Sequence, residues 1–229
     1  YNLNGDKDFL YFMIGIKLFY GFSCQRDIKL GLFYLTLSAD EGNADAQISI
    51  FSIYFKGVDV KRDINKSIHY LTLSANQNQV NAMMLLGCYY SEKMFNSIDA
   101  EKAIYYLTKA ANMNQSDAQF HLGYIYLKGE IVNRNINKAI FYFSLAANQN
   151  NLNALYYLGV IYFEGKYVPK DLTKSIYYYT RSANLGHPQA SCYLGYIYYS
   201  ISPPDINKSL YYFKMAANQG HGEAAFWYA

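Results

Sequence analysis

Four histidines, three cysteines and a thin scatter of carboxylates are the side chains best able to supply a general base, a nucleophile or a metal ligand in this chain. His187 and His221 each follow a glycine, Gly186 and Gly220, in equivalent slots of a repeating pattern, which suits a turn better than proton transfer. His69 takes a slot otherwise filled by Phe or Tyr and reads as packing, and His121 takes one held elsewhere by Tyr157 and Tyr193. Cys24, Cys88 and Cys192 occupy three different places in the repeat and form no CxxC pair, so they read as reduced thiols. There is no zinc-ligand spacing, no phosphate-binding glycine loop and no nucleophile elbow. The few acids fall where helices should start. The sequence therefore predicts no catalytic activity, no metal and no cofactor.

The elements around these residues repeat. Small residues stand at Ala46, Ala82, Ala118, Ala154 and Ala190, each 36 positions after the last, with a near-copy from Leu10 and another from Ala224 after a step of 34. A fixed period of this length is the mark of a solenoid, in which each unit buries its face against its neighbours. An apolar–Gly pair follows each start by four and five positions, as in Leu86-Gly87, Leu122-Gly123, Leu158-Gly159 and Leu194-Gly195, and the second repeat breaks this with Ile50-Phe51. A residue such as Tyr90, Tyr126, Tyr162 or Tyr198 comes three later. Offsets of 0, 4, 5 and 8 lie on one helical face. Glycine inside a helix costs about 1 kcal/mol relative to alanine, so its recurrence predicts a second helix in close approach.

Gly21, Gly57, Gly129 and Gly165 fall where that first helix should end in a left-handed residue. After a short loop, Asp27, Asp63, Asp99, Asn135, Asp171 and Asp205 are good N-caps for a second helix. Lys66, Lys102, Lys138, Lys174 and Lys208 stand three residues further on and read as solvated helix surface. Within the second helix Tyr34, Tyr70, Tyr106, Tyr142, Tyr178 and Tyr212 recur without exception, and each precedes a pair of small residues such as Ala146-Ala147 by four positions. The helix then ends at Gly42, Asn78, Asn114, Asn150, Gly186 and Gly220, and Gly and Asn are the residues that best tolerate the left-handed conformation. Each repeat is thus a hairpin of two helices of about 12 residues. In the sixth repeat, Ser202-Pro203-Pro204-Asp205 replaces the glycine turn at a cost of two residues in the loop, and the stack should continue through it.

Composition narrows the partners. Hydrophobic residues make up 52% and charged residues 16%, which argues against disorder. A formal charge of +3 with dispersed Lys and Arg argues against a basic stripe for nucleic acid. No apolar run approaches the roughly 20 residues of a membrane span, so no direct membrane insertion is expected in this segment. The chain opens and closes inside a repeat and reads as a piece of something longer or a processed product. Its thiol usage points to a cytoplasmic location, and sequons at Asn65, Asn114 and Asn207 leave the endoplasmic-reticulum lumen or secretion open.

The pattern Ala-x3-Leu-Gly-x2-Tyr-x2-Gly, Val-x2-Asp-x2-Lys-Ala, Tyr-x3-Ala-Ala-x2-Gly resembles the Sel-1-like repeat, a relative of the tetratricopeptide repeat, from about Leu10 to Ala229. The resemblance implies an all-α fold, a right-handed α-solenoid of stacked antiparallel helix pairs, as one solenoid over residues 1–229. Three features depart from the family. Only the first glycine of its Gly-x-Gly turn is kept, with Lys93 even there in the third repeat; the second-helix aromatic is Tyr in every copy; and the paired cysteines of the cysteine-rich bacterial branch are missing. No β-lactam-related activity is carried over from that branch.

The resemblance also implies that the first helices line a concave groove. The sequence then places Phe12, Phe19, Ile48, Phe55, Met84, Phe120, Tyr124, Tyr156, Phe163, Tyr196 and Tyr199 inward, with Lys128 beside them and a polar row of Asp45, Asn81, Asp117, Asn153 and Gln189 along one edge. Such a surface suits an extended peptide or a partner helix. Burial between repeats is the competing reading for several of these rings. The expected function is a protein-interaction scaffold or adaptor. A regulatory segment attached to an enzyme domain such as a kinase, and a secreted or lumenal quality-control or effector protein, are the alternatives.

Overall fold

A computed structural model describes residues 3–92 and 98–228, so Lys93 lies outside the described residues. Among the described residues there are thirteen helices and no strand. The first helices of successive repeats are α1 (Leu3–Tyr20), α3 (Ala44–Lys56), α5 (Val80–Ser91), α7 (Ser116–Lys128), α9 (Leu152–Glu164) and α11 (Pro188–Ser200). The second helices are α2 (Ile28–Asp40), α4 (Ile64–Asn76), α6 (Ala100–Asn112), α8 (Ile136–Asn148), α10 (Leu172–Asn184) and α12 (Ile206–Asn218), and α13 (Gly222–Tyr228) opens a seventh repeat. They form two compact units, Tyr1–Met113 and Asn114–Ala229. Within each unit every first helix packs on its own second helix, and every second helix on the next first helix. No helix among the described residues is long and apolar enough to cross a membrane.

Local chemistry sets the helix ends. The side chains of Asp27, Asp63, Asp99, Asn135, Asp171 and Asp205 each accept a hydrogen bond from the backbone N–H three residues on, at 2.9–3.0 Å. The same six residues tie their own N–H back to a first-helix carbonyl, as Asp171 does to Tyr162 at 2.9 Å. Asp205 keeps this bond, to Tyr198 at 2.9 Å, so the shortened loop of the sixth repeat leaves the hairpin intact. The expected helix-ending residues are left-handed, with φ of 61°, 62° and 59° at Asn78, Asn114 and Asn150. A second row of caps stands three residues before the repeat starts from Ala46 onward other than Ala82, where Gln79 makes no side-chain cap bond: Asn43, Gln115 and Asn151 accept from N–H groups at 2.9–3.1 Å, and His187 and His221 do so through Nδ1 at 3.4 and 3.3 Å. This row was not legible as caps in the sequence beyond the turn role expected of the two histidines.

The hairpin core is filled from the slot beside the recurrent tyrosines. The residue that fills each hairpin is the one after the recurrent tyrosine. Leu35, Leu71, Leu107, Phe143 and Tyr179 are fully buried and Phe213 is 2% exposed. Gly123, Gly159 and Gly195 lie directly beneath the aromatic members, and a Cβ at Gly159 would stand 2.6 Å from Tyr179 Cδ1. The close approach predicted from the recurrent glycine is therefore real, and its partner is a ring at these three positions and a leucine at Gly15 and Gly87. The recurrent tyrosines are half-buried, apart from the buried Tyr70, and Tyr106, Tyr142, Tyr178 and Tyr212 stack on first-helix tyrosines. Tyr126–Tyr142, Tyr162–Tyr178 and Tyr198–Tyr212 have centroids 6.0, 5.9 and 5.7 Å apart and planes within 8°.

The lysines three residues after each cap are not simply solvated. Lys66, Lys102, Lys138, Lys174 and Lys208 hold their ammonium groups 4.5–5.1 Å from the centroids of Tyr54, Tyr90, Tyr126, Tyr162 and Tyr198. Attraction to the ring face holds them there, and Lys102, Lys174 and Lys208 also pair with the carboxylate three residues back, Lys174 with Asp171 at 3.2 Å. His69 also differs: it is exposed and meets Tyr70 edge-on at 5.2 Å.

Candidate functional site

Of the residues placed in the groove, those from Phe120 onward lie on the first helices of the C-terminal unit. There a run of stacked rings joins one repeat to the next. Phe143, Tyr179 and Phe213 of the second helices stack on Tyr157, Tyr193 and Trp227 of the following first helices at 5.5, 5.3 and 6.0 Å, with planes within 16°. In the N-terminal unit the corresponding second-helix residues are Leu35, Leu71 and Leu107. The large buried rings let the first helices carry further rings above them, so the aromatic load concentrates in this unit.

Three clusters result. Phe120 lies 6.2 Å from Tyr124, and both touch Tyr157, at 5.9 and 5.6 Å. Lys128 reaches over the Tyr124 ring at 5.4 Å. In the next repeat Tyr156 and Phe163 flank Tyr193 at 6.0 and 5.9 Å, and the imidazole of His187 lies flat on Tyr156 at 4.5 Å. In the third, Tyr196 and Tyr199 meet Trp227 at 5.6 and 6.3 Å. Tyr199 is 54% exposed, whereas Phe120, Tyr124, Tyr156, Phe163 and Tyr196 are half-buried. Each half-buried ring is therefore fixed by neighbouring rings and partly open to solvent.

The polar row is less uniform than its spacing suggests. Asn153 and Gln189 are exposed in the first turns of α9 and α11, while Asp117 accepts a hydrogen bond from Asn151 Nδ2 at 2.9 Å. Asp117 thus serves the junction between repeats. In the N-terminal unit, Phe19 is 2% exposed and belongs to the core, although its spacing places it in the groove. The Phe19 ring is held under Arg26, whose guanidinium carbon is 5.9 Å from the centroid.

Glutamine pairs add a feature that single positions do not reveal. Gln77 Nε2 donates to Gln47 Oε1 at 2.9 Å, and Gln149 Nε2 donates to Gln119 Oε1 at 2.8 Å. The same two slots hold Leu155 and Leu185 in the fifth repeat. The pair changes between polar and apolar together, which preserves either a hydrogen bond or an apolar junction at the base of each hairpin. Correlating offsets 1 and 31 of the repeat would have found it.

The electrostatics carry no sign of activated chemistry. Burial pushes the Tyr156, Tyr157, Tyr178 and Tyr179 hydroxyls above the ordinary tyrosine value, so they stay protonated. Burial likewise raises the Cys192 thiol, which disfavours the nucleophilic thiolate. His121 and His187 are pushed down by burial and stay neutral near pH 7. No group of three or more His, Cys, Asp or Glu among the described residues is arranged to hold a metal ion. What the arrangement offers is rings with polar edges, which is chemistry for binding.

The Sel1 repeat family model matches residues 11–43, 44–79, 80–115, 116–151, 152–187 and 188–221. The chain belongs to the Sel1 repeat family. Its fold is similar to a protective antigen of uropathogenic Escherichia coli displaying an SLR fold, with 24% identity, a TM-score of 0.84, and coverage of 96% of this chain and 48% of that one. It is similar too to a Sel1 repeat protein from Oxalobacter formigenes, with 26% identity, a TM-score of 0.81, and coverage of 96% and 65%. An immunity protein of Pseudomonas aeruginosa, Pa5087, is more distant, with 18% identity, a TM-score of 0.55, and coverage of 94% and 83%. The chain thus spans about half to two thirds of the length of the first two structures. No curated protein matched it. Sel1 repeats generally form protein–protein interaction scaffolds and are typically non-catalytic.

Proposed function

We propose that the C-terminal unit is a non-catalytic scaffold that binds a peptide or helix of a partner protein along the solvent edges of its first helices. The observation that supports this reading is the line of half-buried rings, with Tyr124 beside Lys128 in one repeat and Tyr199 beside Trp227 in another. Rings fixed by neighbouring rings lose little freedom on binding, so their exposed parts add contact area at low entropic cost. Lys128, Asn153 and Gln189 are exposed and supply charge and hydrogen-bonding groups around them.

The test is a peptide selection on the intact chain followed by titration of the selected peptide. Tyr124→Ala and Tyr199→Ala are each expected to weaken binding about tenfold, the scale of a ring at an interface. Tyr199→Ala should leave Tm unchanged, because its ring is more than half exposed. Binding that is unaffected by both substitutions would remove these residues from the site.

A further inference from the structure

The most exposed regular row of rings lies on the other side of the hairpins. Phe141, Tyr177 and Tyr211 occupy one slot of α8, α10 and α12, the position just before the recurrent tyrosine, and are 57%, 55% and 57% exposed. The stack does not need them, because the two residues that follow each of them make the hairpin contacts. Beside Tyr211 a shallow cleft of about 410 Å³ is lined by Tyr211, Lys214, Met215, Asn218 and Gln219, enough to receive an apolar side chain.

The charges around this row have one sign. Helices α8, α10 and α12 carry Lys138, Lys174, Arg181, Lys208 and Lys214 and no Asp or Glu. Against these five cations stand the two cap carboxylates Asp171 and Asp205, which leaves a surplus of three. The second helices of the N-terminal unit differ. Lys29, Lys66, Lys102 and Lys109 there face Asp40, Glu101 and the caps Asp27, Asp63 and Asp99, a deficit of one. Along each helix the cations of the C-terminal unit stand before and after the rings, with the exposed ammonium groups of Lys138, Lys174 and Lys208 leaning over the first-helix tyrosines. Lys138, Lys174 and Lys208 lie three residues before a ring, and Arg181 and Lys214 lie four and three residues after one.

We infer that this second-helix face docks an acidic amphipathic helix of a partner protein, with the partner's apolar stripe on Phe141, Tyr177 and Tyr211 and its carboxylates over the flanking cations. A helix can present apolar side chains in one continuous stripe, which can run across the row of rings. Cations on both flanks call for acidic residues on both sides of that stripe, which a helix provides and an extended strand does not. Rings with cations also suit single-stranded nucleic acid, which stacks its bases on open ring faces. Here the Arg181 guanidinium already lies over the Tyr177 ring, 5.6 Å from its centroid, which favours the helix.

The probe is a fluorescein-labelled helical peptide with leucine on one face and glutamate on both flanks. The same peptide with lysine for glutamate and an oligouridine of about 20 nucleotides are the comparisons. The intact chain is expected to bind the acidic peptide, more weakly as salt rises. Phe141→Ser/Tyr177→Ser/Tyr211→Ser should reduce that affinity about tenfold or more with an unchanged circular dichroism spectrum. Lys214→Glu, a single surface change, should reduce it several-fold and serves if the triple variant fails to fold. Tyr124→Ala/Tyr199→Ala should bind the acidic peptide as the parent does, which separates this face from the first-helix site. Equal binding of the basic peptide, tighter binding of oligouridine, or parental affinity in both Lys214→Glu and a folded triple variant would overturn the inference.

Discussion

Gly159→Ala sets two physical effects against each other with opposite sign. Alanine in a helix interior is favoured over glycine by about 1 kcal/mol, so helix propensity alone makes the variant more stable. Packing predicts the reverse. The new methyl would stand 2.6, 2.7 and 2.9 Å from Cδ1, Cε1 and Cγ of Tyr179. That ring is fully buried and has little room to retreat, being stacked on Tyr193 at 5.3 Å and packed against Tyr156 at 5.9 Å. Overpacking of this kind costs about 2–3 kcal/mol, and the propensity gain leaves a net loss of about 1–2 kcal/mol. For a chain of this length, that loss lowers Tm by about 3–6 °C. Gly222→Ala is the control, because no atom lies within 4 Å of its added Cβ, and it should be neutral or slightly stabilising. Thermal and urea unfolding of both variants measure the difference. A Gly159→Ala protein more stable than the parent would refute the claim that ring-on-glycine contact holds the hairpins.

Further outcomes follow from the caps and junctions. His187 accepts the Ala190 N–H through Nδ1 and is held neutral by burial, so its folded pKa is depressed. Its contribution to stability is full above the ordinary histidine value near 6.5 and is lost as pH falls toward the folded pKa. His187→Asn, which copies Asn151 one repeat earlier, should flatten the fall in Tm between about pH 7 and 5. Gln149→Leu should cost about 1 kcal/mol by removing the donor to Gln119, and Gln119→Leu/Gln149→Leu should recover most of it by reproducing the Leu155 and Leu185 pair; a double-mutant cycle measures the coupling. Asn135→Ala should cost about 1 kcal/mol by uncapping α8, read from urea unfolding.

The helix frame was legible because its punctuation is local. A cap needs only its own side chain and the N–H three residues on, so Asp171 or Asn135 announces a helix start without knowledge of the fold. The core register was harder to read. Invariance drew attention to Tyr142 and Tyr178, whereas the buried residues are their neighbours Phe143 and Tyr179, whose equivalents in the N-terminal unit are leucines. Their identity varies because each fills a space shared with another repeat, beside Tyr157 or Tyr193 in one unit and beside other side chains in the other. Lys174 looked like solvated surface because its attraction to the Tyr162 ring spans the two helices of the hairpin. The candidate site was legible as a set of first-helix positions, but the depth of each ring depends on those same shared spaces. Spacing alone therefore could not separate the 54% exposed Tyr199 from the buried Phe19.

The most direct test of the proposed scaffold role is a random-peptide selection run in parallel on the parent chain, Tyr124→Ala/Tyr199→Ala and Phe141→Ser/Tyr177→Ser/Tyr211→Ser. The account predicts non-acidic peptides that are enriched on the parent and the serine variant and lost on the Tyr124→Ala/Tyr199→Ala protein. Equal enrichment of those peptides on the parent and the Tyr124→Ala/Tyr199→Ala protein would contradict it.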